Sequence, residues 1–300
     1  MNPPNQQTSV HHAQQEQQAV ALIKAGRLQK AEIIYQNLIR EGSSNPIVFG
    51  NLAAIYLARG KPQESIPLLE KAIKINPNYP QAYVSLGNIF KDQGDYNAAI
   101  QFYKKALSIK SNFPEAYNNL GNALKGNRQL KAAIEAHKKA LQLKPNFPQA
   151  LNDLGFALRR DGQLKAAINA YKKALKLKPN FAQAHHNLGI ALKDNEQPTA
   201  AIDAYRQAVK FKPNFPQAYN NLGIVLKGEG QLTAAIDAYK QALKLKPNFS
   251  QAYNNLGSIL IKNKKIDDAI NVLENAIQLK PDYIEALTNL GVAYLNLKKN

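Results

Sequence analysis

Residues 114–147 read PEAYNNLGNALKGNRQLKAAIEAHKKALQLKPNF, and related copies of this stretch recur every 34 residues along the chain. The copies begin at residues 12, 46, 80, 114, 148, 182, 216, 250 and 284, which gives eight full repeats and a ninth that is cut short. A fixed period of this length is typical of a solenoid, in which each repeat packs against its neighbours. Positions within a repeat are numbered here from 1 to 34.

Each repeat carries two apolar patterns with helical spacing. In residues 114–147 the first pattern includes Leu120 and Leu124, and the second includes Ile134 and Leu141. The polar residues 125–129 between the two patterns include glycine and asparagine, which suit a tight turn between antiparallel helices. The sequence therefore predicts an all-α fold, an α-solenoid of tandem 34-residue helix–turn–helix units.

Small residues and prolines occupy fixed positions of the repeat. Position 8 is glycine or alanine, positions 20 and 27 are mostly alanine, and position 32 is mostly proline. Because glycine inside a helix costs roughly 1 kcal/mol relative to alanine, we expect the position-8 glycines to allow close helix packing, with the position-20 alanines facing them. The position-32 prolines are expected to end the second helices.

This pattern resembles the tetratricopeptide repeat (TPR) family over residues 12–300. The resemblance implies a right-handed superhelix with a concave groove that binds other proteins. The array is also similar to the TPR half of O-linked N-acetylglucosamine transferases and to bacterial repeat proteins that carry AYNNLG.

The predicted organisation is a disordered polar leader over residues 1–11, followed by the TPR array. The units are residues 12–45, 46–79, 80–113, 114–147, 148–181, 182–215, 216–249 and 250–283, with a partial capping helix over residues 284–300. Neither a signal-peptide pattern nor a run of about eighteen apolar residues occurs, so we expect a soluble, cytoplasmic protein that does not engage membranes. Leu295 and Leu297 leave self-association through the C-terminal edge open.

The first helix of each repeat carries a polar stripe rich in asparagine, which in TPR proteins resembles the lining of the groove. An asparagine amide offers both donors and an acceptor, so a row of them suits the backbone of an extended peptide. The predicted partner-binding residues are Asn51, Asn119, Asp153, Asn187, Asn221, Asn255 and Asn289 at position 6, and Asn118, Asn152, Asn220 and Asn254 at position 5. The alternative is that asparagine serves only solubility or local helix contacts.

Position 12 adds a line of basic residues to the predicted site. Its members are Lys91, Lys125, Arg159, Lys193 and Lys227. These cations suit acidic side chains or a terminal carboxylate of a partner, although they equally suit the negative end of the first helix. Position 9 changes from Asn88 and Asn122 to Phe156, Ile190 and Ile224, so the middle of the groove is expected to hold an apolar side chain.

Two classes of partner are disfavoured. Chaperone-binding TPR domains resemble this array, but they clamp a C-terminal carboxylate with lysine at positions 2 and 5 and arginine at position 6, a set that no repeat here contains. The formal net charge of +18 also suits nucleic acid, yet no exposed aromatic pattern accompanies the second-helix lysines to stack bases. Nucleic acid binding through this basic outer face is therefore less favoured than protein binding.

Nothing in the sequence predicts catalysis, a metal site or a cofactor. The chain has no cysteine and five histidines, and the histidines lack the spacing of a metal site or a catalytic triad. The sequence therefore predicts a protein–protein interaction scaffold that binds extended, acidic segments of other proteins. The alternative is a substrate-recognition subunit, or a detached TPR region, of a protein glycosyltransferase.

Overall fold

The computed structural model describes residues 6–298, with side chains from residue 10 onwards, and these residues form seventeen helices. The helices are α1 (Gln6–Lys24), α2 (Leu28–Arg40), α3 (Pro46–Ala58), α4 (Pro62–Ile75), α5 (Pro80–Asp92), α6 (Tyr96–Ile109), α7 (Pro114–Gly126), α8 (Leu130–Leu143), α9 (Pro148–Arg160), α10 (Leu164–Leu177), α11 (Ala182–Asp194), α12 (Pro198–Phe211), α13 (Pro216–Gly228), α14 (Leu232–Leu245), α15 (Ser250–Lys262), α16 (Ile266–Leu279) and α17 (Ile284–Leu297). Odd-numbered first helices alternate with even-numbered second helices. The predicted all-α array of helical hairpins is confirmed.

Proline fixes both ends of the hairpin. First helices begin at position 1, which is proline in helices such as α7 and α13. Proline is well tolerated there because its φ suits a helix and its missing N–H would have had no partner. Helix α8 ends at Leu143, two residues before Pro145, because proline disfavours helical geometry in the residue that precedes it.

The turn inside each hairpin places position 15 in the left-handed backbone conformation. Gly162 and Gly230 have φ of 81° and 73°. Arg128, Glu196 and Lys264 take the same conformation with φ of 61°, 56° and 58°. A side chain with a Cβ is strained in this region by roughly 1–2 kcal/mol, so the three hairpins without glycine carry a local cost.

We expect Glu196→Gly to stabilise the protein by about 1 kcal/mol. Glycine removes the backbone strain of the left-handed conformation, and this gain exceeds the free-energy cost of the greater conformational freedom of glycine in the unfolded chain. Gly230→Ala is the matched opposite and should destabilise by a similar amount. The midpoint of urea unfolding, followed by circular dichroism, measures both changes. A lower midpoint for Glu196→Gly would show that the turn at residue 196 is not strained.

Glycine at position 8 makes room for the large side chain at position 24. A Cβ added at Gly189 would lie 2.7 Å from Cε1 of Tyr205, and one added at Gly121 would lie 2.6 Å from Cε1 of His137. Both rings are fully buried. The nearest atoms to position 8 thus belong to the ring one helical turn beyond position 20. In the second repeat the position-20 residue also meets position 8, because Oγ of Ser65 donates to the carbonyl oxygen of Ala53 at 3.1 Å. The expectation that the position-20 alanines face the glycines stays a prediction. The alanines at positions 20 and 27 are nevertheless fully buried throughout α6 to α16.

The chain divides into two compact units, one ending at Pro145 and the other beginning at Asn146. In the first unit, α1 to α8 form four hairpins, and the buried tyrosines Tyr35 and Tyr103 lie in their cores. In the second unit, α9 to α16 form four hairpins and α17 packs against α15 and α16. Each unit is thus built from consecutive repeats that pack on their immediate neighbours.

The N-terminal helix begins before the predicted leader ends. Helix α1 starts at Gln6, whereas the sequence predicts disorder up to residue 11. Residues 6–24 contain neither proline nor glycine, and their glutamines and alanines favour a helix. Residues 1–5 of the predicted leader and residues 299–300 of the predicted capping helix lie outside the described residues. Within residues 6–298, no helix combines the length and the apolar character needed to cross a membrane.

Helix α17 leaves large apolar side chains exposed. Ile284 and Leu295 are 73% and 63% exposed. A Cβ added at Gly291 would meet no atom within 4 Å, because α17 is the last helix of the described residues and no second helix covers it. Self-association through this edge stays a prediction.

Candidate functional site

First helices of neighbouring repeats contact one another within each compact unit. The pairs are α3 with α5 and α5 with α7 in the first unit, and α9 with α11, α11 with α13, α13 with α15 and α15 with α17 in the second. No two second helices within residues 6–298 touch to a comparable extent. The side on which the first helices meet, here termed the first-helix face, is where positions 5 and 6 come together.

In the second unit, side-chain hydrogen bonds join position 6 of one repeat to position 5 of the repeat before it. The pairs, with the position-6 donor first, are Asn187 with Asn152 at 2.9 Å, Asn221 with His186 at 3.0 Å, Asn255 with Asn220 at 3.0 Å and Asn289 with Asn254 at 2.8 Å. We term this series the amide relay. It ties each first helix to the next through the same two positions.

The position-5 asparagines are buried in both units. Asn118, Asn152, Asn220 and Asn254 are between 2% and 8% exposed. In the first unit, Oδ1 of Asn118 lies 2.9 Å from Nδ1 of His137. The sequence predicts these four asparagines as partner-binding residues, and the structure places them beneath the face. Their part in partner binding stays a prediction.

Position 6 is less uniform. The half-buried members are Asn51, Asn119, Asn221, Asn255 and Asn289. Asp153 and Asn187 are only 6% and 7% exposed. Oδ1 of Asp153 accepts from Nε2 of Gln149 at 2.9 Å, and Nδ2 of Asn119 donates to Oδ1 of Asn88 at 3.1 Å. The half-buried asparagines are the ones that a bound partner could reach.

The position-12 cations contact polar side chains of the same face. The contacts are Lys91 with Asp92 at 3.1 Å, Lys125 with Asn122 at 2.9 Å, Arg159 with Asp194 at 2.9 Å, Lys193 with Asp194 at 3.2 Å and Lys227 with Ser258 at 2.8 Å. Arg159 and Lys227 thereby bridge to the following repeat. Burial, and then the charge of Lys262, lower the pKa of Lys227. Lys193 alone among the five is exposed.

The two adjacent histidines have different surroundings. His186 occupies position 5 of the relay and is 8% exposed. Burial lowers its pKa to about 4, and the charge of Arg159 acts in the same direction. Its Nε2 faces Nδ2 of Asn221, while its Nδ1 has no hydrogen-bond partner among the described residues. His185 stacks on Phe211 with ring centres 5.5 Å apart.

Within the described part of the chain, no three histidine, aspartate or glutamate side chains gather as a metal ion would require.

Position-24 tyrosines differ in what their hydroxyls contact. The hydroxyl of Tyr103 donates to Oδ1 of Asn88, at position 9, over 2.7 Å. The hydroxyls of Tyr205 and Tyr239 are buried and have no hydrogen-bond partner within residues 10–298. Their repeats carry isoleucine at position 9, so this acceptor is missing. The change from asparagine to isoleucine at position 9 is thus a sequence signal for these unpaired hydroxyls.

Some of the positive charge lies over aromatic rings where one hairpin follows another. Nζ of Lys178 is 5.0 Å from the ring centre of Phe181, and Nζ of Lys246 is 4.9 Å from that of Phe249. Both rings are half-buried. These lysines therefore stabilise the junctions through cation–π contacts, and their rings are not free to stack on bases.

Comparison with known families identifies the repeat. The family model described as TPR repeat matches residues 53–94, 87–127, 157–196, 194–230, 227–264 and 257–298, and the tetratricopeptide repeat model matches residues 114–147. Together these segments cover most of the chain. No curated protein sequence is similar enough to count as a match.

Solved structures with the same architecture include proteins with known binding sites. YrrB, a TPR protein with an unusual peptide-binding site, is 26% identical with a TM-score of 0.53, over 62% of this chain and 96% of its own. MamA is 30% identical with a TM-score of 0.50, over 54% of this chain and 95% of its own. The APC/C hetero-tetramer Cut9–Hcn1 is 18% identical with a TM-score of 0.66, over 92% of this chain and 54% of the matched chain, and shows the fold alone.

Proposed function

Since the chain belongs to the tetratricopeptide repeat family, we propose that it is a protein-binding scaffold whose first-helix face holds an extended segment of a partner protein. The amide relay is the observation that carries this proposal. It holds the half-buried side chains of Asn221, Asn255 and Asn289 in a row on one face. The peptide-binding site of YrrB, a similar protein, supports it.

The relay prepares each position-6 amide for a second contact. Asn221 and Asn255 each use one amide hydrogen to bond the preceding repeat. An asparagine amide has a second N–H and an acceptor oxygen, which match the N–H and C=O groups of a peptide backbone. Because the relay already fixes these side chains, a partner loses less entropy in ordering them. Asn221, Asn255 and Asn289 are therefore the proposed direct contacts of the second unit. Asn119, which is held by Asn88 instead of by the relay, is the proposed contact of the first unit.

The position-12 cations give the face a preference for acidic segments. Lys193 is exposed, and Arg159 and Lys227 lie at the junctions between first helices. Lysine and arginine side chains form strong, charge-assisted hydrogen bonds with carboxylates. The proposed partner is thus an extended and acidic segment of another protein.

Charge reversal on two surfaces tests this proposal. We expect Lys193→Glu combined with Lys227→Glu to weaken binding of an acidic peptide selected from a display library by about tenfold or more, because two attractive contacts become repulsive. The matched control is Lys172→Glu combined with Lys240→Glu, which makes the same charge change at exposed positions of α10 and α14. Fluorescence anisotropy at two salt concentrations measures both, with circular dichroism to confirm folding.

The control pair also separates protein binding from nucleic acid binding. Single-stranded RNA is titrated in parallel against the unchanged protein and the two double variants. Equal loss of peptide binding in both variants would contradict the first-helix face as the site. RNA binding that survives moderate salt and disappears only in the Lys172 and Lys240 variant would favour the basic outer face instead.

Several expectations stay predictions of the sequence. They are the lack of catalysis, metals and cofactors, the cytoplasmic location, the rejection of chaperone tails, and the alternative role as a recognition region of a protein glycosyltransferase.

A further inference from the structure

A cavity of about 140 Å³ lies between the repeats that begin at residues 182 and 216. Its lining residues are Ile190, Lys193, Tyr205, Asn221 and Ile224. They are positions 9, 12 and 24 of one repeat and positions 6 and 9 of the next. The cavity is therefore part of the first-helix face and adjoins the amide relay at Asn221.

The cavity has apolar walls and a polar floor. Ile190 and Ile224 supply aliphatic surface, and both are half-buried. Tyr205 is 0% exposed, and its hydroxyl has no hydrogen-bond partner among the described residues. Burial raises the pKa of Tyr205, so the hydroxyl keeps its proton at neutral pH and remains a donor. A buried donor without an acceptor costs free energy, which a ligand with a suitable acceptor recovers.

A cation lies at the same cavity. Lys193 contacts Asp194 at 3.2 Å, and that carboxylate is shared with Arg159 at 2.9 Å. An ammonium group has three donors, so Lys193 retains donors for a second anion. Nδ2 of Asn221 donates to His186 and keeps one further N–H. Donors from three side chains thus border a space whose walls are aliphatic.

We propose that this cavity binds the side chain of a glutamate residue in the extended partner segment. The two methylene groups lie between Ile190 and Ile224, and the carboxylate accepts hydrogen bonds from the hydroxyl of Tyr205 and from Nζ of Lys193. This inference rests on the proposed function for the segment that carries the glutamate. It adds a position at which that segment is selected by its side chain.

Neighbouring repeats do not repeat this arrangement. In the following repeat, Lys227 donates to Ser258 at 2.8 Å, and Ser258 stands where the cavity has an isoleucine wall. In the preceding repeat, Arg159 is bound to Asp194. The cavity therefore selects one acidic side chain at one register of the segment, whereas the half-buried position-6 asparagines contact its backbone at several repeats.

Capped single residues test the cavity apart from peptide binding. The probes are N-acetyl-glutamate N-methylamide and its glutamine counterpart, titrated into full-length protein labelled at isoleucine methyl groups and followed by NMR. We expect the glutamate probe to shift the Ile190 and Ile224 signals in a saturable way, and the glutamine probe to bind about tenfold more weakly because it lacks the charge. Equal affinity for the two probes, or no saturable shift with glutamate, would overturn the proposal.

Matched tyrosine variants test the proposed hydrogen bond from the hydroxyl of Tyr205 to the glutamate carboxylate. Tyr205→Phe removes only the unpaired hydroxyl and should raise the dissociation constant of the glutamate probe about tenfold. Tyr239→Phe removes the equivalent hydroxyl one repeat later and should leave it unchanged. An unchanged constant in Tyr205→Phe would contradict the assigned contact.

The two proposals fail in different ways. Acidic peptides that bind while the capped glutamate does not would overturn the cavity and leave the scaffold. A capped glutamate that binds while no peptide does would support the cavity and remove the extended-segment scaffold.

Discussion

Replacing Gly189 with alanine is expected to destabilise the protein by about 2 kcal/mol, because overpacking a filled core typically costs this much. The added Cβ would lie 2.7, 2.8 and 2.9 Å from three ring atoms of Tyr205. That ring is fully buried and belongs to the same hairpin. Helix α11 also contacts α9 and α13, so it cannot move away from α12 without disturbing two neighbours. Urea unfolding followed by circular dichroism measures the change.

The N-terminal repeat indicates that the destabilisation by a Cβ at position 8 has a limit. Ala19 occupies position 8 there and packs in one cluster with Tyr35 at position 24. That hairpin therefore accommodates a Cβ at position 8 beside a buried ring at position 24. Gly291→Ala is the matched control, since nothing lies within 4 Å of its added Cβ, and alanine should stabilise that helix by up to about 1 kcal/mol. Equal destabilisation by both substitutions would contradict the role of the ring.

Acidification is expected to weaken the fold through His186. Its pKa is about 4 in the folded protein, lowered mainly by burial, against an ordinary value of about 6.5 in an unfolded chain. Between these values the unfolded chain binds the extra proton, so the contribution of His186 to stability is lost as the pH drops from 6.5 to 4 and changes no further below 4. The difference between the two pKa values corresponds to a loss of about 3 kcal/mol in the free energy of unfolding. Unfolding free energies at a series of pH values measure it.

A substitution copied from neighbouring repeats should remove this pH dependence of stability. His186→Asn installs the residue that neighbouring repeats carry at position 5, where Asn220 accepts from Asn255 at 3.0 Å. We expect this variant to lose most of the pH dependence between 6.5 and 4. His185→Tyr, which copies position 4 of other repeats, should keep most of it. A pH profile of His186→Asn that matches the unchanged protein would refute the assignment.

Local sequence signals predicted the helices well because they act within the repeat. Proline at position 1 and proline at position 32 constrain the backbone directly, so the ends of helices such as α7 and α8 follow from the sequence. The partner of the position-8 glycine could not be predicted in the same way. A helical pattern indicates which face is buried, but the turn of the second helix that meets Gly189 depends on how the two helices are offset. The structure shows that this turn carries Tyr205.

The candidate site depends even more on contacts between repeats. Positions 5 and 6 are about 100° apart on the same helix, and periodicity alone does not say which one the neighbouring first helix covers. A useful signal is present in earlier repeats, where position 5 is Gly50 or Val84, residues that offer a partner no polar side chain. The sequence indicated Ile190, Lys193, Asn221 and Ile224 as residues of the groove, but it did not show that three helices bring them together around the hydroxyl of Tyr205.

The amide relay also affects how the second unit responds to a local disturbance. Each junction between first helices is fastened by one such side-chain bond, from Asn187, Asn221, Asn255 or Asn289. A hydrogen bond of this kind contributes about 1 kcal/mol net, which is small enough for thermal opening of a single relay bond, while Arg159 with Asp194 and Lys227 with Ser258 still join their pairs of first helices. The fasteners act in series and share no residue, so one can open while the others stay closed. The loss of one relay bond therefore leaves the other three in place, so a local disturbance of the face stays local.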